Sequence, residues 1–333
     1  MVENLTTIIA SPSQSVRIHR DAPTVIIGER INPTGRKSLQ MAMAAGDWDI
    51  VRQDALEQLA AGALVLDVNA GVPDGDEPAL LEAALRAVMT VADAPICIDT
   101  ADPVALEAAL TIYPGKALVN SVNGEMRTLE AILPLVKAHE AAVIGLCLDY
   151  NGIPPTAEQR LAVAARIIQE ATRRGIAPAD VVIDPLVLTL GADTGAAKVA
   201  LETIALVVKE FGVNITMGAS NVSFGLPDRP SINAAFIAMA IHAGLTCPIT
   251  NPLEPALTRA VLAADLAMGK DEWGMRWIEA FRARASSEAP PAGCTGGRIP
   301  LRPHALKDER RSVDERNTQT NGLGGDSGAK GRH

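Results

Sequence analysis

Eight short aliphatic runs in this chain each end on carboxylates or carboxamides. The first closes with GERINPTG, which offers Glu29, Arg30 and Asn32, and the second with LDVNAG, which offers Asp67 and Asn69. The third ends in IDT with Asp99. The fourth, VNSVNGE, brings Asn120, Ser121, Asn123 and Glu125, and the fifth, LDYNGIP, brings Asp149 and Asn151. The sixth ends in IDP with Asp184, the seventh in GASNVS with Ser220 and Asn221, and the eighth in TNP with Asn251. This pool is rich in Asp and Asn and poor in cations. It holds no serine–histidine pair, no histidine cluster and no phosphate-cradling glycine loop. Such a set suits a neutral heterocycle edged with N–H groups, because carboxylates accept and carboxamides both accept and donate. Any one Asp or Asn at a strand end can instead cap the next helix or shape a turn. Eight in succession make capping a weaker account. Arg30 and Arg229 read as surface or structural salt-bridge residues.

The elements that must carry these side chains alternate regularly. The aliphatic runs are Val25–Gly28, Leu64–Val68, Pro95–Ile98, Ala117–Asn120, Ala141–Leu148, Asp180–Ile183, Asn214–Gly218 and Leu245–Ile249. Segments of helical spacing follow them, among them Pro78–Val91, Pro103–Leu110, Leu129–His139, Ala157–Arg174, Ala196–Phe211 and Ser231–Ala243. Strands alternating with such helices predict an α/β fold with a parallel sheet, and eight of them favour closure into a (β/α)8 TIM barrel. In that fold the chemistry sits at the carboxyl ends of the strands. Thr156 is placed to cap a helix, and Gly46, Gly62, Gly175, Gly212 and Gly244 to end helices. The organisation expected is an N-terminal extension over residues 1–24, a barrel over 25–285, and a disordered tail over 286–333.

Composition narrows the function. Hydrophobic residues make up 48% of the 333 and aromatics only 3%, so the core is Ala, Val, Leu and Ile. A net charge of −9 supplies no basic face for nucleic acid. No apolar run of about 18 residues is present to cross a bilayer, and the N-terminus does not read as a signal, so a cytoplasmic protein is expected. Cys97, Cys147, Cys247 and Cys294 are far apart and form no C-x-x-C. The five histidines pair neither with each other nor with cysteines, and no protein-bound metal is expected.

The segments IGERINPTG, LDVNAG, ICIDT, VNSVNGE, NGIPPT, VIDPLVL, GASNVSFGLPDRP and INAAFIAMAIHAGL resemble the pterin-binding methyltransferases. That group includes methyltetrahydrofolate:corrinoid protein methyltransferases and the folate module of cobalamin-dependent methionine synthase. The resemblance spans roughly residues 25–270, in order. It implies that Asp99, Asn120 and Asp184 hold the pterin ring, and that Asn221 contacts the nitrogen bearing the methyl group. Asp67, Asn69, Glu29 and Ser220 then belong to the surrounding polar network. The implied reaction moves a methyl group between 5-methyltetrahydrofolate and the cobalt of a cobalamin (corrinoid). No segment reads D-x-H-x-x-G, so the corrinoid is expected on a separate partner protein. A homodimer is also implied. It would use the helices INAAFIAMAIHAG and ALTRAVLAADLAMG, unless Trp273, Trp277 and Phe281 on a following helix cover them. Dihydropteroate synthase shares the strand-end logic, but its characteristic loops are replaced here by NPTGRK and NAGVPDGDEP. A non-catalytic pterin-binding subunit is the other alternative.

Overall fold

The alternation of aliphatic runs and amphipathic segments is what the chain builds. The computed structural model describes residues 2–287. An antiparallel pair comes first, β1 (Thr7–Ala10) and β2 (Ser15–Ile18). Next are β3 (Ile27–Ile31), α1 (Lys37–Ala44), α2 (Asp49–Ala60), β4 (Val65–Val68), α3 (Glu77–Met89), β5 (Ile96–Asp99) and α4 (Pro103–Ile112). Then follow β6 (Leu118–Asn123), α5 (Met126–Ala138), β7 (Ala142–Leu146), α6 (Ala157–Arg173), β8 (Val181–Asp184) and α7 (Ala196–Phe211). The last elements are β9 (Thr216–Gly218), α8 (Arg229–Ala243), β10 (Cys247–Thr250), α9 (Pro255–Ala267) and α10 (Met275–Ser287).

Strands β3 to β10 form one sheet in the order β8-β7-β6-β5-β4-β3-β10-β9. A parallel bridge between Ile183 and Ile215 joins its two edges, and the Ile183 N–H donates to the Asn214 carbonyl at 2.9 Å. The result is a (β/α)8 TIM barrel. β4 and β8 are buried at every position, as a parallel strand covered on both faces must be. The helix ends follow the sequence signals. The Thr156 hydroxyl accepts the Gln159 N–H at 3.3 Å and caps α6. Gly212 closes α7 at φ 64°, where a Cβ would lie 2.2 Å from the Glu3 carbonyl oxygen.

Residues 1–24 do more than extend the chain. Ile9 and Ile18 of the hairpin are fully buried against Val25, Ile27, Val65, Leu118, Ile144 and Val182, which point into the barrel. The Asn214 amide donates to the Leu5 carbonyl, the Thr7 hydroxyl and the Ile18 carbonyl at 3.2, 2.9 and 3.0 Å. Ala10 bridges to Lys116, just ahead of β6, and the Thr7 hydroxyl donates to Ala179, just ahead of β8. The hairpin therefore plugs the amino-terminal end of the barrel, opposite the strand termini that carry the polar pool.

The C-terminal region also departs from the spacing argument. Trp273 precedes α10, in a short 3-10 turn (Glu272–Gly274) where its own φ of 58° is non-helical; it is 86% exposed, and Phe281 is 58% exposed. The supposed stripe Trp273–Trp277–Phe281 is therefore not a face covering α8 and α9. What anchors this region is polar. Fully buried Asp265 accepts from the Thr24 N–H and hydroxyl at 2.9 and 2.6 Å and from Arg276 at 2.9 Å. The expected boundary at 285 falls inside α10, so Ser286 and Ser287 of the tail expected to be disordered over 286–333 are helical, and the rest of that tail lies outside the described residues. Cys97, Cys147 and Cys247 are buried and unpaired; burial pushes the Cys247 thiol up to about 12, and Cys97 and Cys147 are raised by the same cause. Cys294 is not among the described residues.

Candidate active site

A cavity of about 410 Å³ opens at the carboxyl ends of the strands. Strand β3 and its following loop contribute Glu29, Arg30, Asn32, Thr34 and Arg36. β4 contributes Asp67, β5 Asp99, β6 Asn120 and β8 Asp184. Gly218 and Asn221 come from the end of β9 and its loop, and Ile249 and Asn251 from the end of β10. The volume is in the range of small-molecule sites.

The polar side chains are pre-arranged. The Asn120 amide donates to Asp67 Oδ1 at 3.2 Å, which leaves its carbonyl oxygen free for a ligand. The Asn69 amide donates to the Asp99 backbone carbonyl at 3.1 Å, and Asn32 lies 3.5 Å from Asp99 Oδ2. Asp184 Oδ1 accepts the Leu186 N–H at 2.7 Å. Asn221 sits in the turn Ala219–Ser223. A Cβ on Gly218 would come within 3.0 Å of the Asn221 amide nitrogen, so the glycine makes room for that amide over the cavity. Arg229 holds the turn by donating to the Ser223 hydroxyl and the Ser220 carbonyl at 3.1 and 3.0 Å. The Ser220 hydroxyl is 3.4 Å from that of Thr250. Among the described residues, two buried donors, Arg30 Nε and Gln58 Nε2, have no acceptor.

Electrostatically the cavity is a cluster of carboxyls held out of water. Burial pushes Asp184 up to about 7 and Asp99 to about 6. Glu29 also rises to about 7 through burial, against the opposing charges of Arg30 and Arg229. Asp67 is raised by burial and by the nearby Asp99. Asp184, Asp99 and Glu29 are poised to exchange their protons near neutrality, and all four carboxyls gain from an N–H donor that would stabilise the carboxylate. Clustered perturbed carboxyls in one cleft mark a functional site.

Of the residues that the sequence offered, Glu29, Arg30, Asn32, Asp67, Asp99, Asn120, Asp184, Asn221 and Asn251 meet in this cavity. Asn69 and Ser220 stand behind it, bonded to Asp99 and facing Thr250 respectively. Several strand-end residues instead shape turns. Asn123 accepts from the Glu125 N–H at 2.8 Å, and Asp149 from the Asn151 N–H at 3.0 Å. Arg36 and Gly218 were not singled out by sequence reasoning. The only signal for Arg36 was its place in NPTGRK; its partner Asp54, at 2.6 Å, is on another element.

The model of the pterin binding enzyme family matches residues 28–251. The chain belongs to the pterin-binding enzymes. It is 30% identical over 78% of its length to a methylcorrinoid:tetrahydrofolate methyltransferase of Eubacterium limosum, and the match covers 96% of that protein. It is also 30% identical to the methionine synthase of Mycobacterium tuberculosis, over 73% of this chain but only 22% of the synthase. Among solved structures, 7,8-dihydropteroate synthase from Vibrio fischeri superposes with a TM-score of 0.61 at 18% identity, covering 79% of this chain and 99% of that one. That likeness speaks for the fold. The matched segment of the pterin-binding family starts on β3 and ends just past β10, so it contains every residue that lines the cavity.

Proposed function

We propose that this pterin-binding enzyme transfers a methyl group between 5-methyltetrahydrofolate and the cobalt of a corrinoid carried on a separate protein. The observation that carries the reading is the convergence of Asp67, Asp99, Asn120 and Asp184 on one cavity whose mouth holds the exposed Asn221. Identity to the methylcorrinoid:tetrahydrofolate methyltransferase over nearly its full length supports it.

In this reading Asp99 and Asp184 accept from the amino and lactam N–H groups of the pterin. Asn120, its amide spent on Asp67, offers its oxygen. Charge-assisted bonds of this kind contribute roughly 1.5–3 kcal/mol each. The corrinoid, when bound, supplies the metal that takes or returns the methyl group. The chain's own part is to hold the folate and ease the breaking C–N bond, whose electron pair stays on the pterin nitrogen. The Asn221 amide donates to that nitrogen. A donor whose bond strengthens in the transition state accelerates the step, whereas one that binds both states equally does not. Carboxamides do not titrate near neutrality, so a proton for that nitrogen has to come through water or before the folate binds.

The protein acts in the cytoplasm as a homodimer, with the side of α8 and α9 as the shared face so that the carboxyl rim stays open to a bulky partner. Exposed Met239 on α8, Leu266 on α9 and Met268 just past it support that shared face. The test of function is turnover of 5-methyltetrahydrofolate with free cob(I)alamin. Methyl transfer is the expected result. Folate binding without turnover would leave a pterin-binding subunit, and condensation of a pterin pyrophosphate with p-aminobenzoate would make it a dihydropteroate synthase.

A further inference from the structure

Three arginines stand at or beside the cavity, and two are committed to holding the chain. Arg36 pairs with Asp54 at 2.6 Å and also donates to the Arg30 carbonyl. Arg229 holds the Asn221 turn through Ser220 and Ser223 and lies 5.8 Å from the centre of the Phe224 ring. Arg30 differs. Among the described residues its guanidinium donates no hydrogen bond and forms no ion pair, although it lines the cavity and its Nε is buried. Glu29 feels its charge but does not pair with it. A buried donor left without an acceptor is costly, and beside an open cavity it marks where an acceptor arrives.

The backbone of Arg30, by contrast, is tied at both ends. A register shift between Gly28 and Ile31 interrupts the pairing of β3 with β4. The Arg30 N–H turns instead to Gln58 Oε1 at 2.8 Å, and its carbonyl accepts from Arg36. Gln58 and Asp54 lie one turn apart on α2, on the same helical face. Gln58 is fully buried, and a Cβ on Gly28 would fall 2.5 Å from its Oε1. Gly28 therefore admits the amide that holds Arg30. So much fixation of one peptide is out of proportion for an arginine whose side chain does nothing.

We propose that Arg30 is a substrate-binding residue whose guanidinium donates to an acceptor oxygen of the bound folate, with Gln58 and the Arg36–Asp54 pair as the positioning residues that aim it. The inference rests on the folate reading above. Ionised against the N–H edge of a pterin, the cavity carboxyls are acceptors only and give nothing to its oxygens. Arginine is the complement: five N–H donors in a planar fork, no acceptor, and a permanent charge. A folate offers such oxygens in two places, the 4-oxo group of the pterin and the carbonyl and carboxylates of the p-aminobenzoylglutamate tail.

The test is calorimetric titration of the whole chain with tetrahydrofolate and with a tail-less 6-methyltetrahydropterin. The proteins are the native chain, Arg30→Lys, Arg30→Met, Gln58→Met and the Arg30→Met/Gln58→Met double variant. Arg30→Met is expected to weaken tetrahydrofolate binding about 10- to 100-fold, the scale of one charge-assisted bond, at unchanged melting temperature. Arg30→Lys should recover part of the loss. An equal loss for the tail-less pterin assigns the 4-oxo group, and a loss confined to tetrahydrofolate assigns the tail; both support the proposal. Gln58→Met should weaken binding alone but add little in the Arg30→Met background, since two residues acting through one contact are not additive. Unchanged tetrahydrofolate affinity in Arg30→Met overturns the proposal, and additive losses remove Gln58 from the positioning role. A native chain that binds neither compound defeats the folate reading itself, and the inference with it.

Discussion

Replacing Asp184 by Asn should make the protein more stable and its folate binding worse. Asp184 is 6% exposed, and burial lifts its carboxyl from 3.8 to about 7. A carboxyl whose folded pKa is raised favours folding in its protonated form. Its contribution is intact below the unfolded pKa and is lost as pH rises through the folded value. One pKa unit corresponds to about 1.4 kcal/mol, so the native protein should lose roughly 2–3 kcal/mol at this site between about pH 5 and pH 7. Asparagine stays neutral throughout that window and keeps an oxygen for the Leu186 N–H, now 2.7 Å from Oδ1. The other cavity carboxyls titrate in both proteins and cancel in the comparison, because none of them ranks among the main causes of the Asp184 shift. Denaturant unfolding of the ligand-free proteins across this range should show the stability gap widening by about that amount in favour of Asp184→Asn. Folate titration of the same samples should show the cost. An amide N–H turned toward a pterin donor leaves a mismatch of about 1–3 kcal/mol, roughly 5- to 150-fold in affinity. A stability gap that does not change with pH would refute the electrostatic account of the site. Undiminished folate affinity would remove Asp184 from it.

The remaining predictions can be stated together. Asn221→Ala should slow methyl transfer by about 10²–10³-fold while weakening folate binding far less, the pattern of a lost preorganised donor; equal losses in rate and binding would make Asn221 a binding residue only. Asp99→Asn should weaken folate binding for the same reason as Asp184→Asn, and calorimetry showing no change would place Asp99 outside the contact. Ile9→Ala should lower stability by about 2–5 kcal/mol, the cost of emptying a fully buried site, and an unshifted denaturation midpoint would mean that the hairpin does not plug the barrel. Light scattering at micromolar concentration should give about twice the chain mass of 34.8 kDa; a monomer mass would defeat the dimer.

All eight barrel strands were legible in the sequence because a parallel strand covered on both faces must be aliphatic along its length, and its last residue turns polar where it meets the cavity. For the same reason Asp67, Asp99, Asn120 and Asp184 could be read as one site, since barrel closure brings all eight strand ends together whatever their separation along the chain. Other decisions needed the third dimension. The segments TIIA and SVRI of β1 and β2 are too short to announce a core, and Ile9 and Ile18 are buried only because the open end of the barrel lies above them. Trp273, Trp277 and Phe281 share a helical spacing, but α10 starts after Trp273, so the stripe never forms. Asn123 and Asn120 are three residues apart on one strand and of identical chemistry, yet one shapes a turn and the other lines the cavity. The role of Arg30 was the least legible. A lone arginine after a strand reads as surface charge, and only the placement of Gln58, Asp54 and Arg36 around its peptide shows that its backbone is held while its guanidinium is not. Local pattern records which face of an element is buried; which partner arrives from a distant element is set by how the elements close on one another.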